Sequence, residues 1–294
     1  MNSASPVVLR RSQLFVPGNN EHMIRKAALE LRPDSVIIDL EDAVPIDGKE
    51  AARKLIRELL PQLDWKGKEV CVRVNDPKTP FFYADIDTVY KIDVVKCIVI
   101  PKAEFDLSFV YKATGREIEP LIETAKGLLR VEDIVRSEGI TAVSYGAADF
   151  ALSVGGVVKT YEQNQVLKTV VVSAARAYGV DPIDKVFFDI KDIEGFRREC
   201  IEAKSMGFIG KQVIHPSQIP VANEVFSPSE EEINWARRVV EAYEKAVKEG
   251  RGAISLRASW LIMCIISWLR GSSILRTSLV SKCLLKLCEE ALNR

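Results

Sequence analysis

Short runs of β-branched and other apolar residues recur along the chain, and the stretches between them carry apolar residues at every third or fourth position. A run of about four to eight such residues is typical of a buried strand, whereas the longer spacing is typical of a helix with one apolar face. The predicted strands are Gln13–Val16, Ser35–Leu40, Val70–Val74, Cys97–Ile100, Glu117–Ile122, Ala142–Tyr145, Lys185–Asp189 and Lys211–Ile214.

Helices are predicted where the three-to-four spacing persists. They include Lys49–Leu60, Thr124–Ser137, Tyr161–Tyr178, Ile193–Met206 and, behind the cap and first-turn acids of S-P-S-E-E, Ser229–Lys248. Alternating strands and helices favour parallel strands joined by right-handed crossovers, and eight repeats favour an α/β fold closed as a (β/α)8 TIM barrel. An open doubly wound sheet is the alternative, although the turn V-P-G-N-N after the first strand is not a GxGxxG dinucleotide loop.

Composition narrows the functional classes. The 294 residues are 28% charged and 47% hydrophobic, as in a globular protein, and the length fits one barrel or two smaller domains. The net charge is zero, which gives no electrostatic argument for nucleic acid or an anionic membrane as a partner. The six cysteines form no CxxC pair and have no histidine nearby, and the start of the chain has no apolar run typical of a secretory signal. We therefore expect reduced thiols and a cytoplasmic location.

Function in a TIM barrel lies at the carboxyl ends of the strands. Polar residues stand at or just after the predicted strand ends from the second strand onward: Asp39, Glu41, Asp42, Arg73, Asn75, Lys102, Glu123, Asp149, Asp189 and His215. Any one of them could simply cap a helix or form an ion pair, so residues that converge on one point are more informative.

Glu123 and Asp149 form the most informative pair. They stand at the ends of neighbouring strands, so both carboxylates can face one point above the barrel, where they would repel each other without a cation between them. Oxygen ligands without Cys or His nearby select Mg²⁺ or Mn²⁺ and leave coordination positions for water and substrate. Two helix-capping acids are the alternative.

Arg73 lies in the otherwise apolar strand V-C-V-R-V and needs an anionic partner there. A substrate carboxylate or carbonyl oxygen would serve, and so would a structural ion pair with Glu123 or Asp42. Glu41 and Asp42 either orient metal-bound water or cap the following helix. The chain has two histidines and offers no Ser-His-Asp arrangement, which argues against acyl-enzyme chemistry.

Seven motifs occur in order between Arg11 and Leu256: R-S-Q-L-F-V-P-G-N, V-I-I-D-L-E-D-A-V, V-R-V-N, I-P-K, I-E-T-A-K-G, G-A-A-D-F and G-K-Q-V-I-H-P-S-Q-I. Together they resemble the HpcH/HpaI aldolase and citrate lyase beta-subunit family. The stretches T-P-F-F-Y, G-A-A-D-F-A-L-S-V-G and A-N-E-V-F-S-P-S-E are most similar to the malyl-CoA, methylmalyl-CoA and citramalyl-CoA lyases, with citryl-CoA lyase as the neighbouring possibility.

The resemblance implies a TIM barrel, assembled as a trimer or a hexamer, that makes or breaks a C–C bond in a 3-hydroxyacyl-CoA. The products of cleavage would be a short acyl-CoA and a 2-oxo acid. The resemblance assigns Mg²⁺ to Glu123 and Asp149, and it assigns catalysis and substrate binding to Arg73 and Glu123. The other substrate-binding residues it implies, along the path of the CoA ester, are Phe15, Lys26, Ile214 and His215.

Three other functions stay open. A CoA-independent class II pyruvate aldolase shares the metal and the barrel, but such enzymes usually carry a histidine base that the stretch D-L-E-D lacks. A malyl-CoA thioesterase would direct bound water at the thioester. A catalytically silent homologue would bind CoA esters without turnover.

The composition changes after Leu256. Residues 257–294 contain six Lys and Arg against two acids, a net charge of +4, and no Asp, His or Pro. We expect a barrel domain over residues 1–250 and a helical C-terminal extension over residues 251–294. The most apolar segment of this tail has an uncharged core of twelve residues, Ala258–Leu269, which is short of the roughly 20 needed to span a bilayer.

A frameshift after Leu256 would explain this change. In the family that the chain resembles, the region reads approximately G-K-x-[IV]-D, and its aspartate reaches a neighbouring subunit's active site as a candidate for proton transfer. Synonymous codons can be chosen so that A-S-W-L-I-M-C-I-I-S-W-L-R-G reads in another frame as G-K-L-V-D-Y-V-H-Y-K-L-A-K-R. On this hypothesis the chain binds Mg²⁺ and substrate but turns substrate over weakly.

Overall fold

The centre of the molecule is a closed barrel of eight parallel strands that follow one another in chain order. The structure is a computed structural model that describes residues 8–231, 233, 234, 238, 254–256 and 259–261. The strands are β1 Ser12–Pro17, β2 Ser35–Asp39, β3 Glu69–Arg73, β4 Cys97–Ile100, β5 Glu117–Ile122, β6 Ala142–Tyr145, β7 Asp181–Asp184 and β8 Gly210–Val213.

The first strand closes the barrel because it pairs with both β2 and β8. Gln13 lies opposite Ser35 on one side and opposite Gln212 on the other. The predicted (β/α)8 TIM barrel is therefore confirmed, and the open doubly wound sheet is wrong. Apart from the seventh strand, the predicted strands differ from the observed ones only by small shifts at their ends.

The seventh strand lies earlier in the chain than we predicted. β7 is Asp181–Asp184, whereas the predicted strand Lys185–Asp189 is an irregular segment that follows it. The sequence D-P-I-D concealed the strand, because Asp and Pro are both depleted in strands. Asp189 consequently does not end a strand.

Both acids of β7 are buried, and each has a cationic partner. Asp181 lies 3.5 Å from the guanidinium of Arg10, inside the amino-terminal end of the barrel. Asp184 accepts hydrogen bonds from the Tyr145 hydroxyl and the Lys211 ammonium. Ion pairs and hydrogen bonds thus allow a charged sequence to form a fully buried strand.

Helices surround the barrel and follow the strands. The described helices are α1 Glu21–Leu29, α2 Lys49–Leu59, α3 Phe81–Tyr90, α4 Ser108–Thr114, α5 Ala125–Leu129, α6 Val131–Val135, α7 Ala147–Ser153, α8 Val158–Glu162, α9 Gln165–Ala177, α10 Ile193–Met206 and α11 Gln218–Phe226. α2 and α10 lie where the spacing of apolar residues predicted them.

Two predicted helices are interrupted. The stretch Thr124–Ser137 contains α5 and α6, which are separated at Arg130, where φ is −115° and ψ is 13°. The stretch Tyr161–Tyr178 contains the end of α8 and the whole of α9. The second interruption arises because Asn164 is extended and its side chain accepts a hydrogen bond from the amide of Leu167, which starts a new helix.

Below the carboxyl ends of the strands, the barrel interior is partly apolar. A core cluster there is formed by Ile37, Cys71, Cys97, Val99 and Leu121, with Phe15 packed against it. This cluster lies under the side chains that the strand ends present, and it gives them a rigid base. Cys71, Cys97 and Cys200 are free thiols.

The barrel and its helices form one compact unit, Arg10–Val225. A second unit contains Met1–Leu9 and Phe226–Arg294, and within it β9 Ile254–Leu256 pairs antiparallel with β10 Ser259–Leu261. These six residues are strands although we predicted a helical extension; their Ile and Trp residues favour strands. The rest of that extension, the predicted boundary at residue 250 and most of the predicted helix Ser229–Lys248 lie outside the described residues.

Among the residues that the structure describes, no helix combines the length and the apolar character that crossing a bilayer requires.

Candidate active site

A cavity of about 430 Å³ opens at the carboxyl ends of the barrel strands. Seven of the residues singled out from the sequence lie in its wall: Phe15, Asp39, Asp42, Arg73, Glu123, Asp149 and Ile214. Glu41, Lys26 and His215 are not among the described residues that line it.

Glu123 follows β5 directly and is buried, with 4% of the residue exposed. Its Oε2 accepts a hydrogen bond from the backbone N–H of Lys102 at 3.0 Å. Within the described part of the chain, the hydrogen bond of Glu123 is made by Oε2 and not by Oε1, and Glu123 lines the cavity. Burial, together with the charges of Glu41 and Asp149, raises the pKa of Glu123 to about 7, although the Arg73 guanidinium opposes this shift.

Gly146 has no side chain, and the space that a side chain would take is occupied by Glu123. It follows β6, and a Cβ atom at this position would lie 2.5 Å from Oε1 of Glu123. Asp149 lies in the first turn of α7, three residues further on, and its side chain is about a third exposed, at 35%. The short, small-residue start of α7 thus brings the second carboxylate to the same cavity as the first.

Arg73 ends β3 and is held by Asp39, which lies opposite it on β2. Nε and Nη2 each donate a hydrogen bond of 2.7 Å to an oxygen of Asp39. Burial opposes the charge of the guanidinium, but the carboxylates around it hold the pKa of Arg73 above its ordinary value. Phe15 lies against the guanidinium, with its ring centroid 5.0 Å from Cζ. The bidentate ion pair with Asp39 fixes the orientation of the Arg73 guanidinium, and Nη1 takes no part in that pair.

The ion pair that we predicted for Arg73 with Asp42 is present, but it is the weaker contact. Asp42 is 63% exposed and lies 3.2 Å from Nη2 of Arg73. The partner that the sequence did not reveal is Asp39, which lies within the motif V-I-I-D-L-E-D.

Glu41 lies behind the cavity wall, between two cations. Its Oε1 accepts a hydrogen bond from the Lys102 ammonium at 2.8 Å, and its Oε2 lies 3.2 Å from Nη1 of Arg73. Burial raises the pKa of Glu41 even though both cations oppose the shift. Glu41 thus contacts two cations of the site without lining the cavity, and its predicted role in the site stays a prediction.

The remaining predicted residues lie at the edge. Lys26 is half-buried in α1, and His215 is half-buried after β8, with its Nδ1 2.8 Å from the hydroxyl of Ser217. Ile214 lies between β8 and His215 and lines the cavity. Of the three residues, Ile214 lines the cavity, whereas Lys26 and His215 do not.

The donor set of the cavity fits a divalent cation with oxygen ligands. Glu123 has a carboxylate oxygen, Oε1, that takes no part in its hydrogen bond, and Asp149 adds a second carboxylate in the same wall. Burial, and to a smaller extent the neighbouring carboxylates, raise the pKa of Glu123, and a cation between Glu123 and Asp149 would favour the charged form. Hard oxygen donors of this kind suit Mg²⁺ or Mn²⁺.

Sequence comparison identifies relatives with named activities. The sequence profile of the HpcH/HpaI aldolase/citrate lyase family matches residues 11–216. The mitochondrial citramalyl-CoA lyase of Mus musculus is 34% identical, over 94% of this chain and 88% of that protein. The L-malyl-CoA/beta-methylmalyl-CoA lyase of Rhodobacter capsulatus is 36% identical, over 85% of this chain and 89% of that enzyme.

Two solved structures are also similar to this chain. CitE of Mycobacterium tuberculosis, in complex with magnesium, acetoacetate and coenzyme A, is 27% identical and superposes with a TM-score of 0.73, covering 94% of this chain and 99% of that one. RipC of Yersinia pestis is 29% identical with a TM-score of 0.63, covering 76% of this chain and 97% of that one. The extent of the profile match and the identity with the two lyases establish that this chain belongs to the HpcH/HpaI aldolase/citrate lyase family.

Proposed function

We propose that this chain is a Mg²⁺-dependent carbon–carbon lyase that cleaves a 3-hydroxyacyl-CoA into a short acyl-CoA and a 2-oxo acid. Malyl-CoA, methylmalyl-CoA, citramalyl-CoA and citryl-CoA are the candidate substrates. The observation that carries the proposal is that Glu123, whose hydrogen bond is made by Oε2 and not by Oε1, shares one cavity wall with Asp149 and Arg73. The relatives named citramalyl-CoA lyase and malyl-CoA lyase support the reaction class.

Glu123 and Asp149 would hold the metal ion, and Mn²⁺ would substitute for Mg²⁺. When bound, the ion supplies Lewis acidity to the oxygen atoms of the oxo-acid portion. Glu41 and Asp42 would act indirectly, because Glu41 lies behind the wall and both acids contact Arg73.

Arg73 would bind the oxo-acid portion through Nη1, which Asp39 does not hold and which already lies 3.2 Å from Oε2 of Glu41. In cleavage, the bond between C2 and C3 of the acyl chain breaks, and the C3 hydroxyl loses its proton to become the carbonyl of the 2-oxo acid. The electron pair of the broken bond moves to C2 as a thioester enolate, which takes up a proton to give the acyl-CoA. A guanidinium already fixed in place stabilises negative charge on the oxo-acid oxygen in the reverse, bond-forming direction.

The CoA ester would follow the side of the cavity that Phe15 and Ile214 line. Lys26 and His215 lie outside the wall and are proposed as contacts of the longer CoA portion. An apolar wall suits the acyl chain, and a lysine beyond it suits phosphate groups.

A second candidate function is binding of CoA esters with weak or absent turnover. One observation favours it: the last aspartate in the sequence is Asp192, so the tail has no aspartate that could move a proton in the way that the family resemblance implies. A malyl-CoA thioesterase is distinguished by its products.

The test is a cleavage assay with the four CoA esters in the presence of Mg²⁺. We expect release of a 2-oxo acid from at least one ester, and loss of Mg²⁺-dependent release in Glu123→Gln and Asp149→Asn. The matched control is Glu138→Gln, which changes an exposed carboxylate that lies 3.5 Å from Lys112. Retained turnover in both site variants would refute the metal assignment. Release of free CoA with an intact hydroxy acid would indicate a thioesterase, and binding without products would indicate the silent homologue.

We also propose assembly as a homo-oligomer, a trimer or a hexamer, and a cytoplasmic location. The free thiols of the described cysteines support this location, because they suit a reducing compartment. Light scattering coupled to size-exclusion chromatography measures the assembly directly.

A further inference from the structure

Lys102 touches the proposed metal ligands with both its backbone and its side chain. We infer that the positive charge of Lys102 has two opposite effects on this site. It stabilises the neighbouring carboxylates while no metal is bound, and it repels the cation when the cation binds. The inference rests on the proposed function, because it assumes that Glu123 and Asp149 bind the cation.

The backbone of Lys102 adopts an unusual conformation. Its φ is +48°, and Lys66 is the other non-glycine residue with a positive φ in the part of the chain that the structure describes. Lys66 lies in an exposed turn, where such a conformation is common, whereas Lys102 follows β4 inside the site. Residues held in this region at a cavity are often held there for a function. The conformation directs the Lys102 N–H to Oε2 of Glu123 at 3.0 Å.

The side chain of Lys102 extends to two further carboxylates. Its Nζ lies 2.8 Å from Oε1 of Glu41 and 3.9 Å from Oδ1 of Asp149. The side chain is 23% exposed, so solvent screens its charge only in part. One residue thus contacts three acids that come from three different strand ends.

An ion pair with Glu41 alone does not account for this arrangement. Arg73 already lies 3.2 Å from Oε2 of Glu41, so that acid has a cation without Lys102. Five carboxyl groups stand around the two cations Arg73 and Lys102, so acids outnumber bases here; they are Asp39, Glu41, Asp42, Glu123 and Asp149. A divalent cation would offset part of this excess, and without it Lys102 is the positive charge nearest to both Glu41 and Asp149 among the described residues.

Two opposite effects follow from the charge of Lys102. Without metal it stabilises the folded site, because it reduces the repulsion between carboxylates. With metal it repels the cation. Even with the screening of bulk water, one positive charge about 5 Å from a divalent ion weakens binding of that ion by about tenfold.

The experiment is calorimetric titration of Mg²⁺ into the full chain, combined with thermal unfolding in the absence and presence of saturating Mg²⁺. Lys102→Met removes the charge but keeps the length of the side chain, and Lys102→Arg keeps the charge. The matched control is Lys96→Met, which removes an exposed lysine at the opposite end of the same strand. We expect Lys102→Met to bind Mg²⁺ at least about tenfold more tightly than the wild type. We also expect it to unfold at a lower temperature without Mg²⁺ and to regain most of that loss with Mg²⁺. Lys102→Arg and Lys96→Met should bind as the wild type does.

Unchanged or weaker Mg²⁺ binding by Lys102→Met would overturn the inference, and so would a stability loss that Mg²⁺ does not reduce, because a merely structural lysine gives that result. The proposed function fails separately. If the wild type does not bind Mg²⁺, or if Glu123→Gln binds it equally well, the metal site itself is wrong and the inference falls with it.

Discussion

Glu123 is a buried carboxyl group whose pKa is raised to about 7 from 4.5, chiefly because burial disfavours its charged form. In the metal-free chain its proton therefore contributes stability that is fully present below its ordinary pKa and is lost as the pH rises through about 7. A metal ion reverses this dependence, since it binds the charged form. The same residue thus links metal binding to pH.

Mg²⁺ affinity should consequently depend on pH in the window below about pH 7. We expect the association constant, measured by calorimetry, to fall about tenfold for each pH unit below 7 and to level off above it, because a proton and the metal compete for one carboxylate. Glu138→Gln should show the wild-type profile. A flat profile across this window would contradict the role of Glu123 as a ligand.

Gly146 provides a test of the space around Glu123. A Cβ atom there would lie 2.5 Å from Oε1 and 2.9 Å from Cγ of Glu123, so Gly146→Ala must displace the proposed ligand. Its φ of −115° is open to alanine, and the change therefore acts through this contact and not through backbone strain. We expect Mg²⁺ affinity to fall about 10–100-fold, as for other changes that misplace a ligand.

The control for this variant is Gly48→Ala, whose Cβ would make an ordinary contact of 3.5 Å with Val44. Equal Mg²⁺ affinity in the two alanine variants would show that the position of Glu123 does not matter to the metal.

Among the elements, β7 and β8 depend on a buried ion network along their outer face. Lys211 and Asp184 are fully buried and paired, and Glu199 of α10 lies 2.6 Å from the Lys211 ammonium. The Tyr145 hydroxyl donates to Asp184 at 2.7 Å. This network connects two neighbouring strands to the helix between them and so contributes to closing the barrel.

Lys211→Met should destabilise the chain strongly, because it leaves Asp184 buried without its cation. We expect the free energy of unfolding, from urea titration, to fall by about 3–5 kcal/mol. Lys191→Met, at an exposed position, should change it by less than about 0.5 kcal/mol. A loss below about 1 kcal/mol for Lys211→Met would mean that the network contributes little.

Buried ion pairs also explain why the hydrophobic pattern of the sequence missed one strand. The pattern detected β1 to β6 and also β8, G-K-Q-V, in spite of its buried lysine, whereas the D-P-I-D of β7 looks like a turn until Arg10 and Lys211 are known to lie beside its acids. Apolar periodicity reports burial but not buried ion pairs.

In the site, too, some features could be predicted from the sequence and others could not. The convergence of Glu123 and Asp149 at one cavity could be predicted, because neighbouring parallel strands end at one edge. The pairing of Asp39 with Arg73 could not, because it depends on the register of β2 against β3, which the hydrophobic pattern does not fix.

For the molecule as a whole, the frameshift hypothesis makes the tail after Leu256 the part of the chain that limits its activity. Residues 257–294 contain no aspartate, although the family resemblance calls for one there. The frameshift hypothesis explains both the missing aspartate and the change in net charge after Leu256.

Sequencing the gene tests that hypothesis. We expect a single-base insertion or deletion near the codons for Leu256 and Arg257, whose correction restores G-K-L-V-D in the tail. The corrected chain should cleave its CoA ester faster than the 294-residue chain. An uninterrupted frame at these codons, or full lyase activity of the present chain, would refute the hypothesis.

If Glu123 and Asp149 together hold the catalytic cation, as we propose, Mn²⁺ makes that position directly visible. The measurement is anomalous X-ray diffraction from crystals of this chain grown with Mn²⁺ and a 2-oxo acid. We expect one strong anomalous peak within bonding distance of both carboxylates. A peak elsewhere in the barrel, or none in the cavity at saturating Mn²⁺, would contradict the proposal.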